Sequence, residues 1–160
     1  MSKFYSPPSA NRMAPNVTFR SYLPTDKEAC LELFDANCPE FFSPNERTDY
    51  ENFLEANPDS YELCFGDGPV AGAFGLIGDS AHDRSLNWIL LNPSSQGLGI
   101  GATIMERVVL DARESGVRVV NIAASHKSAP FFAKFGANEV TVTDNGWGPG
   151  MHRVDMKLRL

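Results

Sequence analysis

A strand–helix–strand unit over residues 86–124 constrains the fold more than any other feature of the chain. The apolar run Leu86–Leu91 is closed by Asn92-Pro93 and predicts a strand. A helix follows the next glycines and ends at Gly116, and its apolar face consists of Ile100, Ile104, Met105, Val108, Val109 and Ala112. A buried strand then spans Val117–Ala124. Because strands joined through a helix run parallel, the sheet must contain a parallel pair.

The rest of the chain predicts five more strands and three more helices. Strands are expected over residues 17–23, 61–65, 70–77, 139–143 and 152–158. Two helices begin at capping boxes, Thr25 with Glu28 and Ser43 with Glu46, and a short helix spans residues 128–135. The order β-α-α-β-β-β-α-β-α-β-β predicts an α/β (α+β) fold: a mixed, mostly antiparallel sheet of about seven strands flanked by four helices.

Composition and charge limit the classes of protein and partner. Residues 1–16 are polar, contain proline and lack the apolar core of a signal peptide, so we expect a flexible tail before a single domain at 17–160. No apolar stretch approaches the roughly 20 residues that cross a bilayer, so we expect no membrane partner and a cytoplasmic location. The formal net charge of −6 disfavours nucleic-acid binding. Three cysteines without a C-x-x-C pair predict neither a disulfide framework nor a zinc ribbon, and no metal is expected.

Glycines at 97, 99 and 101 separate the Leu86–Leu91 strand from the long helix. One interpretation is a dinucleotide fingerprint, G-x-G-x-x-A, but the next strand ends at Ser125 with no acidic residue to hold a ribose. A second is that the glycines only ease packing of the helix on the strand. A third is an anion site, in which free amides at the helix start face a phosphate.

The third interpretation carries a resemblance to a known family. Gln96-Gly97-Leu98-Gly99-Ile100-Gly101 matches Q/R-x-x-G-x-G/A, the acyl-coenzyme A loop of the GNAT superfamily of N-acetyltransferases. The segment SAPFFAKFGA over residues 128–137 is similar to that family's fourth-helix segment, and Arg20 with Asp26 resembles its first strand and turn. The resemblance covers residues 17–158 and implies a GNAT-like fold that uses acetyl-CoA as co-substrate.

The resemblance also implies which residues hold the co-substrate. Backbone groups of Ile89, Leu90 and Leu91 would pair with pantetheine in a gap between diverging strands, and an amide there would polarise the thioester oxygen. The cofactor-binding loop would comprise Gln96, Gly97, Leu98, Gly99, Ile100, Gly101 and Ala102, with the amides from Gly97 to Ala102 holding the pyrophosphate. Ser125 stands where many members have a cofactor-contacting asparagine. Phe132, beside the cofactor, replaces the tyrosine that usually protonates the leaving thiolate, and Ser85 replaces a glutamate base used by some members.

The predicted acceptor is an amine of a small molecule or peptide. His126, at the end of the fifth strand, is the best candidate for moving its proton, and a water chain or an exposed histidine with no role are the alternatives. The resemblance implies an acceptor pocket between the first two helices and the last hairpin, where Phe41, Phe42 and Trp147 would make cation–π contact with the amine. Asn87, on the fourth strand, would orient the substrate. The same aromatics would suit core packing or a homodimer contact.

Two functions of different classes follow. The first is an N-acetyltransferase in which the amine attacks acetyl-CoA directly in a ternary complex. The second is a catalytically silent acyl-CoA-binding sensor that regulates a partner, which the loss of the tyrosine at Phe132 favours.

Overall fold

Within the residues that the structure describes, seven strands form one sheet in the order β1-β2-β3-β4-β5-β7-β6. A computed structural model describes residues 16–95 and 97–160, so nearly all of the predicted tail, and Gln96, lie outside the described residues. The strands are β1 Thr18–Ser21, β2 Tyr61–Phe65, β3 Val70–Ile77, β4 Asp83–Leu91, β5 Val119–Ser125, β6 Asn138–Gly148 and β7 Met151–Arg159. Among the described strands only β4 and β5 pair in parallel, which confirms the mixed, mostly antiparallel sheet.

In the described part of the chain, four α-helices cover the sheet in the predicted order. They are α1 Lys27–Ala36, α2 Arg47–Glu55, α3 Ile100–Glu114 and α4 Ala129–Ala133. Short 3₁₀ turns precede α1, α2 and α3. No helix in the described ranges combines the length and apolar character that crossing a bilayer requires.

The two faces of the sheet bury separate cores. One core contains Ile104, Met105 and Val108 of α3 together with Phe132 of α4. The other packs Leu33 and Phe34 of α1 and Tyr50 and Leu54 of α2 against the opposite face. Adjacent strand residues alternate between them, as period-two geometry requires: Ala73 of β3 belongs to the α1–α2 core and Phe74 to the α3–α4 core.

A bulge in β4 interrupts this alternation. Leu90 pairs with Ala73 and Asn87 with Gly75, so Trp88 and Ile89 together oppose the single residue Phe74. Trp88 takes the left-handed conformation with φ of 50°, rare for a bulky side chain. Leu86 faces the α3–α4 core whereas Trp88 and Leu90 face the other. Because of the extra residue, even-numbered positions of β4 face the α3–α4 core before the bulge and the α1–α2 core after it.

The helix starts differ in part from prediction. Thr25 and Glu28 do not form the predicted capping box; instead the Asp26 carboxylate accepts the Leu23 amide proton at 2.8 Å and pairs with Arg20. At the second start, Glu46 Oε2 accepts from the Ser43 amide at 2.8 Å as predicted. The Glu46 amide donates to the Ser43 carbonyl at 2.9 Å, because a 3₁₀ turn precedes α2.

Candidate active site

The site begins where β4 and β5 separate. Their parallel pairing ends at Leu86 opposite Ile122, just before the bulge turns β4 away. A buried hydrogen-bond chain fixes that bulge: the Tyr61 hydroxyl donates to the Trp88 carbonyl at 2.6 Å and lies 2.9 Å from the Tyr50 hydroxyl. Burial raises the pKa of both tyrosines, so both phenols stay protonated and the bond to Trp88 persists at every physiological pH.

One cavity, here the helix cavity, lies between the end of β4, the start of α3 and α4. It encloses about 470 Å³. Its lining includes Asn37, Phe41, Ile89, Leu91, Asn92, Ser95, Gly97, Gly99, Ile100, Gly101, Ala102, Lys127, Ser128, Phe131, Phe132, Lys134 and Phe135. Asn37, which the sequence did not single out, is buried and donates to the Leu91 carbonyl at 2.8 Å. That bond anchors the last residue of β4 at the cavity wall.

The glycine turn at the mouth of the helix cavity exposes backbone donors. Gly97 and Gly99 have φ of 81° and 78°, a conformation that glycine adopts without strain. The first helical hydrogen bond runs from the Thr103 amide to the Gly99 carbonyl at 3.1 Å. No described residue accepts from the amides of Gly101 or Ala102, so these donors and the positive end of the α3 dipole face the cavity.

Gly101 has a packing role as well. A Cβ at this position would lie 2.9 Å from the ring of Phe131 and 3.2 Å from Leu91. The prediction that glycine allows close packing of the helix on the strand is therefore correct for Gly101. It does not explain Gly97, because no described atom lies within 4 Å of a Cβ built there. Gly97 is needed for its left-handed backbone conformation, and Gly101 is needed because Phe131 and Leu91 pack against its backbone.

Two lysines supply positive charge at the helix cavity. Lys127 and Lys134 both line it, although the chain as a whole carries a formal net charge of −6. Sequence reasoning missed them because an exposed lysine beside a short helix has many ordinary explanations. The lysines and the free amides together form a site suited to a polyanion.

A second cavity, here the aromatic cavity, adjoins the helix cavity and lies between β4, β5, the α1–α2 connection and the β6–β7 hairpin. It encloses about 200 Å³. Its lining comprises Phe41, Phe42, Glu46, Leu86, Asn87, Trp88, Ile89, Ile122, Ala123, Ala124, Ser125, Ser128, Phe132 and Trp147. Four residues, Phe41, Ile89, Ser128 and Phe132, line both cavities. A molecule in one cavity therefore meets a molecule in the other at these four residues.

Trp147 closes the aromatic cavity from the β6–β7 hairpin. Its indole Nε1 donates to the Ala124 carbonyl at 2.9 Å, and its own carbonyl accepts from Asn45 Nδ2 at 2.9 Å. The Arg153 guanidinium lies 4.8 Å from the Trp147 ring centroid. The hairpin is thus bonded both to β5 and to the turn before α2, which holds this wall in a fixed orientation.

Glu46 is the functional candidate that sequence reasoning missed. It lines the aromatic cavity and is only 6% exposed. Burial raises its pKa to about 7; the Ser43 amide opposes that shift and the negative charge of Asp49 adds to it. The sequence pattern identified Glu46 only as a capping residue, and no local signal indicates that its carboxylate is buried.

Most of the predicted cofactor residues lie at the helix cavity. Ile89, Leu91, Gly97, Gly99, Ile100, Gly101, Ala102 and Phe132 line it. Leu90 instead points into the α1–α2 core because of the bulge, and Leu98 is 60% exposed and lines neither cavity. Ser125 lines the aromatic cavity, and its Oγ accepts from the Ser128 amide at 3.1 Å, which caps the start of α4.

The structure does not bring His126 to either cavity. Its Nδ1 accepts from the His152 amide at 3.2 Å, and the two imidazole rings lie 4.7 Å apart on the β5–β7 edge of the site. This position does not support the predicted proton-carrying role of His126. By contrast, Phe41, Phe42, Asn87 and Trp147, predicted for the acceptor, all line the aromatic cavity.

Comparison with known proteins gives both a family match and fold matches. The family model described as Acetyltransferase (GNAT) family matches residues 28–137. A rice protein named serotonin N-acetyltransferase 2, chloroplastic, is 35% identical over 68 residues, which are 42% of this chain and 34% of that protein. The matched segment therefore spans about a third of that relative's length.

Solved structures match over nearly the whole chain. The ribosomal-protein-S18-alanine N-acetyltransferase of Escherichia coli superimposes with a TM-score of 0.73 at 18% identity, covering 89% of this chain and 93% of that one. An aminoglycoside 6'-N-acetyltransferase complexed with coenzyme A gives a TM-score of 0.69 at 14% identity, covering 89% and 96%. At these identities the structural matches establish the shared fold.

Proposed function

The chain belongs to the GNAT family of acetyltransferases, and on that premise we propose that it transfers the acetyl group of acetyl-CoA to an amine by direct attack in a ternary complex. The observation that carries this proposal is the pair of amides of Gly101 and Ala102, from which no described residue accepts, at a cavity that continues to the gap between β4 and β5. A diphosphate is the chemical group that such a helix start binds best.

Acetyl-CoA would lie in the helix cavity with its pyrophosphate at the glycine turn. Lys127 and Lys134 would neutralise part of its charge, which an acidic chain otherwise repels. Pantetheine would follow the edge of β4 along Ile89–Leu91, where the parallel partner strand has already diverged. An amide on that edge would polarise the thioester oxygen, and such a donor contributes most in a site that excludes water.

The acceptor amine would enter from the aromatic cavity and meet the thioester at the residues shared by both cavities. Phe132 has no proton to donate to the departing thiolate. A thiol pKa of roughly 8.5 makes coenzyme A a fair leaving group without an acid, since the thiolate can take a proton from water. Orientation of the two reactants would supply much of the rate enhancement. The name of the rice relative also supports an amine acceptor, although only part of that protein matches.

Release of free thiol from acetyl-CoA, measured with a panel of arylalkylamines, polyamines, amino acids and peptides, tests this function. We expect saturable acetyl-CoA binding by calorimetry and thiol release that depends on an acceptor. Binding without release by any acceptor would instead establish the silent acyl-CoA sensor. Thermal stabilisation by NAD but not by coenzyme A would overturn both proposals.

Three further expectations accompany this function. We propose a single catalytic domain at residues 17–160, a cytoplasmic location and a homodimer. Limited proteolysis, cell fractionation and sedimentation would test them in turn.

A further inference from the structure

We propose that Glu46 is the general base of this site and that it deprotonates ammonium groups carried on an uncharged, apolar carbon skeleton. This inference rests on the proposed function, since it needs an amine acceptor and acetyl-CoA. The sequence pattern indicated only a helix-capping role for the turn before α2, and this proposal adds a catalytic role.

Position is the first support. Glu46 is the one titratable residue among the described residues lining the aromatic cavity. Its Oε2 is held by the Ser43 amide at 2.8 Å, which fixes the orientation of the carboxylate. No described residue donates a hydrogen bond to Oε1, and the residue as a whole is 6% exposed, so a group that enters the cavity can donate to this oxygen.

The electrostatic surroundings favour a base that works near neutrality. Asp49, one turn further along α2, adds negative charge, and the Cys38 thiol after α1 interacts with the carboxylate. The linings contributed by β4, β5 and α4 hold no titratable group among the described residues. On the hairpin side, the Arg153 guanidinium lies over the Trp147 ring, does not line the cavity, and is paired with Asp155 at 3.0 Å. A pKa of about 7 lets Glu46 exchange its proton at physiological pH.

The proton and bond changes balance with this one base. The ammonium gives a proton to Glu46 and becomes a neutral amine. Its lone pair forms the C–N bond at the thioester carbon, and the C–S bond then breaks, so that the thiolate leaves with the electron pair. The second nitrogen proton lost on amide formation goes through solvent to the thiolate. Glu46 then returns its own proton to water, so one proton is released per turnover.

The lining of the aromatic cavity selects the acceptor. Phe41, Phe42 and Trp147 present flat apolar walls, and the rings of Phe42 and Trp88 stack at 6.1 Å. No lysine, arginine or histidine occurs among the described lining residues, so a substrate carboxylate would be desolvated without a partner. A primary amine on an aromatic body, such as 2-phenylethylamine, fits this surface, whereas a free amino acid does not.

Glu46→Gln is the decisive variant, because glutamine can keep the hydrogen bond from the Ser43 amide through its carbonyl oxygen. With 2-phenylethylamine at pH 7.5 we expect kcat to fall by about 100-fold or more. The kcat/KM of the wild type should rise to about pH 7 and then level off. In the variant it should keep rising about tenfold per pH unit, because only amine already neutral in solution reacts.

Phenylhydrazine separates chemistry from structural damage, since its terminal nitrogen is already neutral at pH 7.5. The variant should acetylate it at a rate close to that of the wild type. An equal loss with both substrates, or an unchanged pH profile with 2-phenylethylamine, would overturn the assignment of Glu46. Equal efficiency of the wild type with alanine and 2-phenylethylamine would overturn the acceptor class.

Asp26→Asn is the matched control, because Asp26 is also a carboxylate that accepts a helix-start amide proton but lines neither cavity. It should lower stability without changing the ratio of rates for the two substrates. Failure of the wild type to acetylate any amine would contradict the proposed function itself. Acetyl transfer that is independent of Glu46 would contradict only this inference.

Discussion

Glu46 holds two roles in one carboxylate, because it caps the turn before α2 and faces the aromatic cavity. Its burial has a thermodynamic cost that depends on pH. Below about pH 4.5 the carboxyl is protonated in both the folded and the unfolded chain. Between about 4.5 and 7 the folded protein keeps the proton and the unfolded chain releases it, so the free energy of unfolding falls as pH rises through this window.

The free energies of unfolding of the wild type and of Glu46→Gln should therefore diverge as pH rises. The variant should gain stability relative to the wild type from pH 4.5 to 7, by on the order of 3 kcal/mol, and then stay level. Chemical denaturation at pH 4.5, 6 and 8 measures this difference. Parallel curves for the two proteins would show that Glu46 has an ordinary pKa in the folded chain.

For single residues, the sequence predicted roles that depend on backbone conformation better than roles that depend on the surroundings of a side chain. Gly97 and Gly99 were predictable because a left-handed turn before a helix requires glycine. Glu46 was not, because the cavity that it lines also needs Trp147, which belongs to a hairpin about 100 residues away that no local pattern encodes. His126 follows β5 as expected, but its imidazole packs on His152 instead of facing the cavities.

Among the elements, β4 determines the site through its bulge. Tyr61 supports this strained segment by donating to the Trp88 carbonyl at 2.6 Å, and a left-handed bulky residue costs roughly 1–2 kcal/mol. The helices and strands themselves were largely predictable from periodicity. The bulge was not, because every residue of Trp88–Leu91 is apolar and no alternation reveals the change of face.

Tyr61→Phe should loosen the bulge. It leaves a buried carbonyl without its donor, and we expect a loss of about 2 kcal/mol in unfolding free energy together with weaker acetyl-CoA binding. Tyr50→Phe is the matched control, because it removes a hydroxyl bonded to Tyr61 but keeps the bond to Trp88. The control should lose stability without losing affinity. Equal affinity losses for both variants would argue against a role of the bulge in binding.

Across the whole molecule, the aromatic cavity is completed by contact between the β6–β7 hairpin and the turn before α2. Asn45 donates to the Trp147 carbonyl, and a Cβ at Gly148 would lie 2.7 Å from Ser43 Oγ. The sequence predicted both segments and assigned their aromatics to the acceptor. It could not predict the direct hydrogen bond, which joins residues 102 positions apart.

Asn45→Ala should release this contact. Loss of a hydrogen bond worth about 1 kcal/mol should speed amide exchange over residues 144–150 severalfold and raise the KM for the acceptor. The dissociation constant of acetyl-CoA should stay unchanged, because Asn45 does not line the helix cavity. Asn138→Ala, on exposed β6, is the control. An acceptor KM equal to that of the wild type would show that the hairpin position does not shape the cavity.

The reversal of facing along β4 affects how substrate scope can be engineered. Before the bulge, the even-numbered Leu86 belongs to the α3–α4 core, and after it the odd-numbered Ile89 and Leu91 do. A mutant library that randomised every second codon from residue 86 onward would change the α3–α4 face of the sheet before the bulge and the α1–α2 core at Leu90 after it. Diversification should therefore change its codon spacing at Trp88.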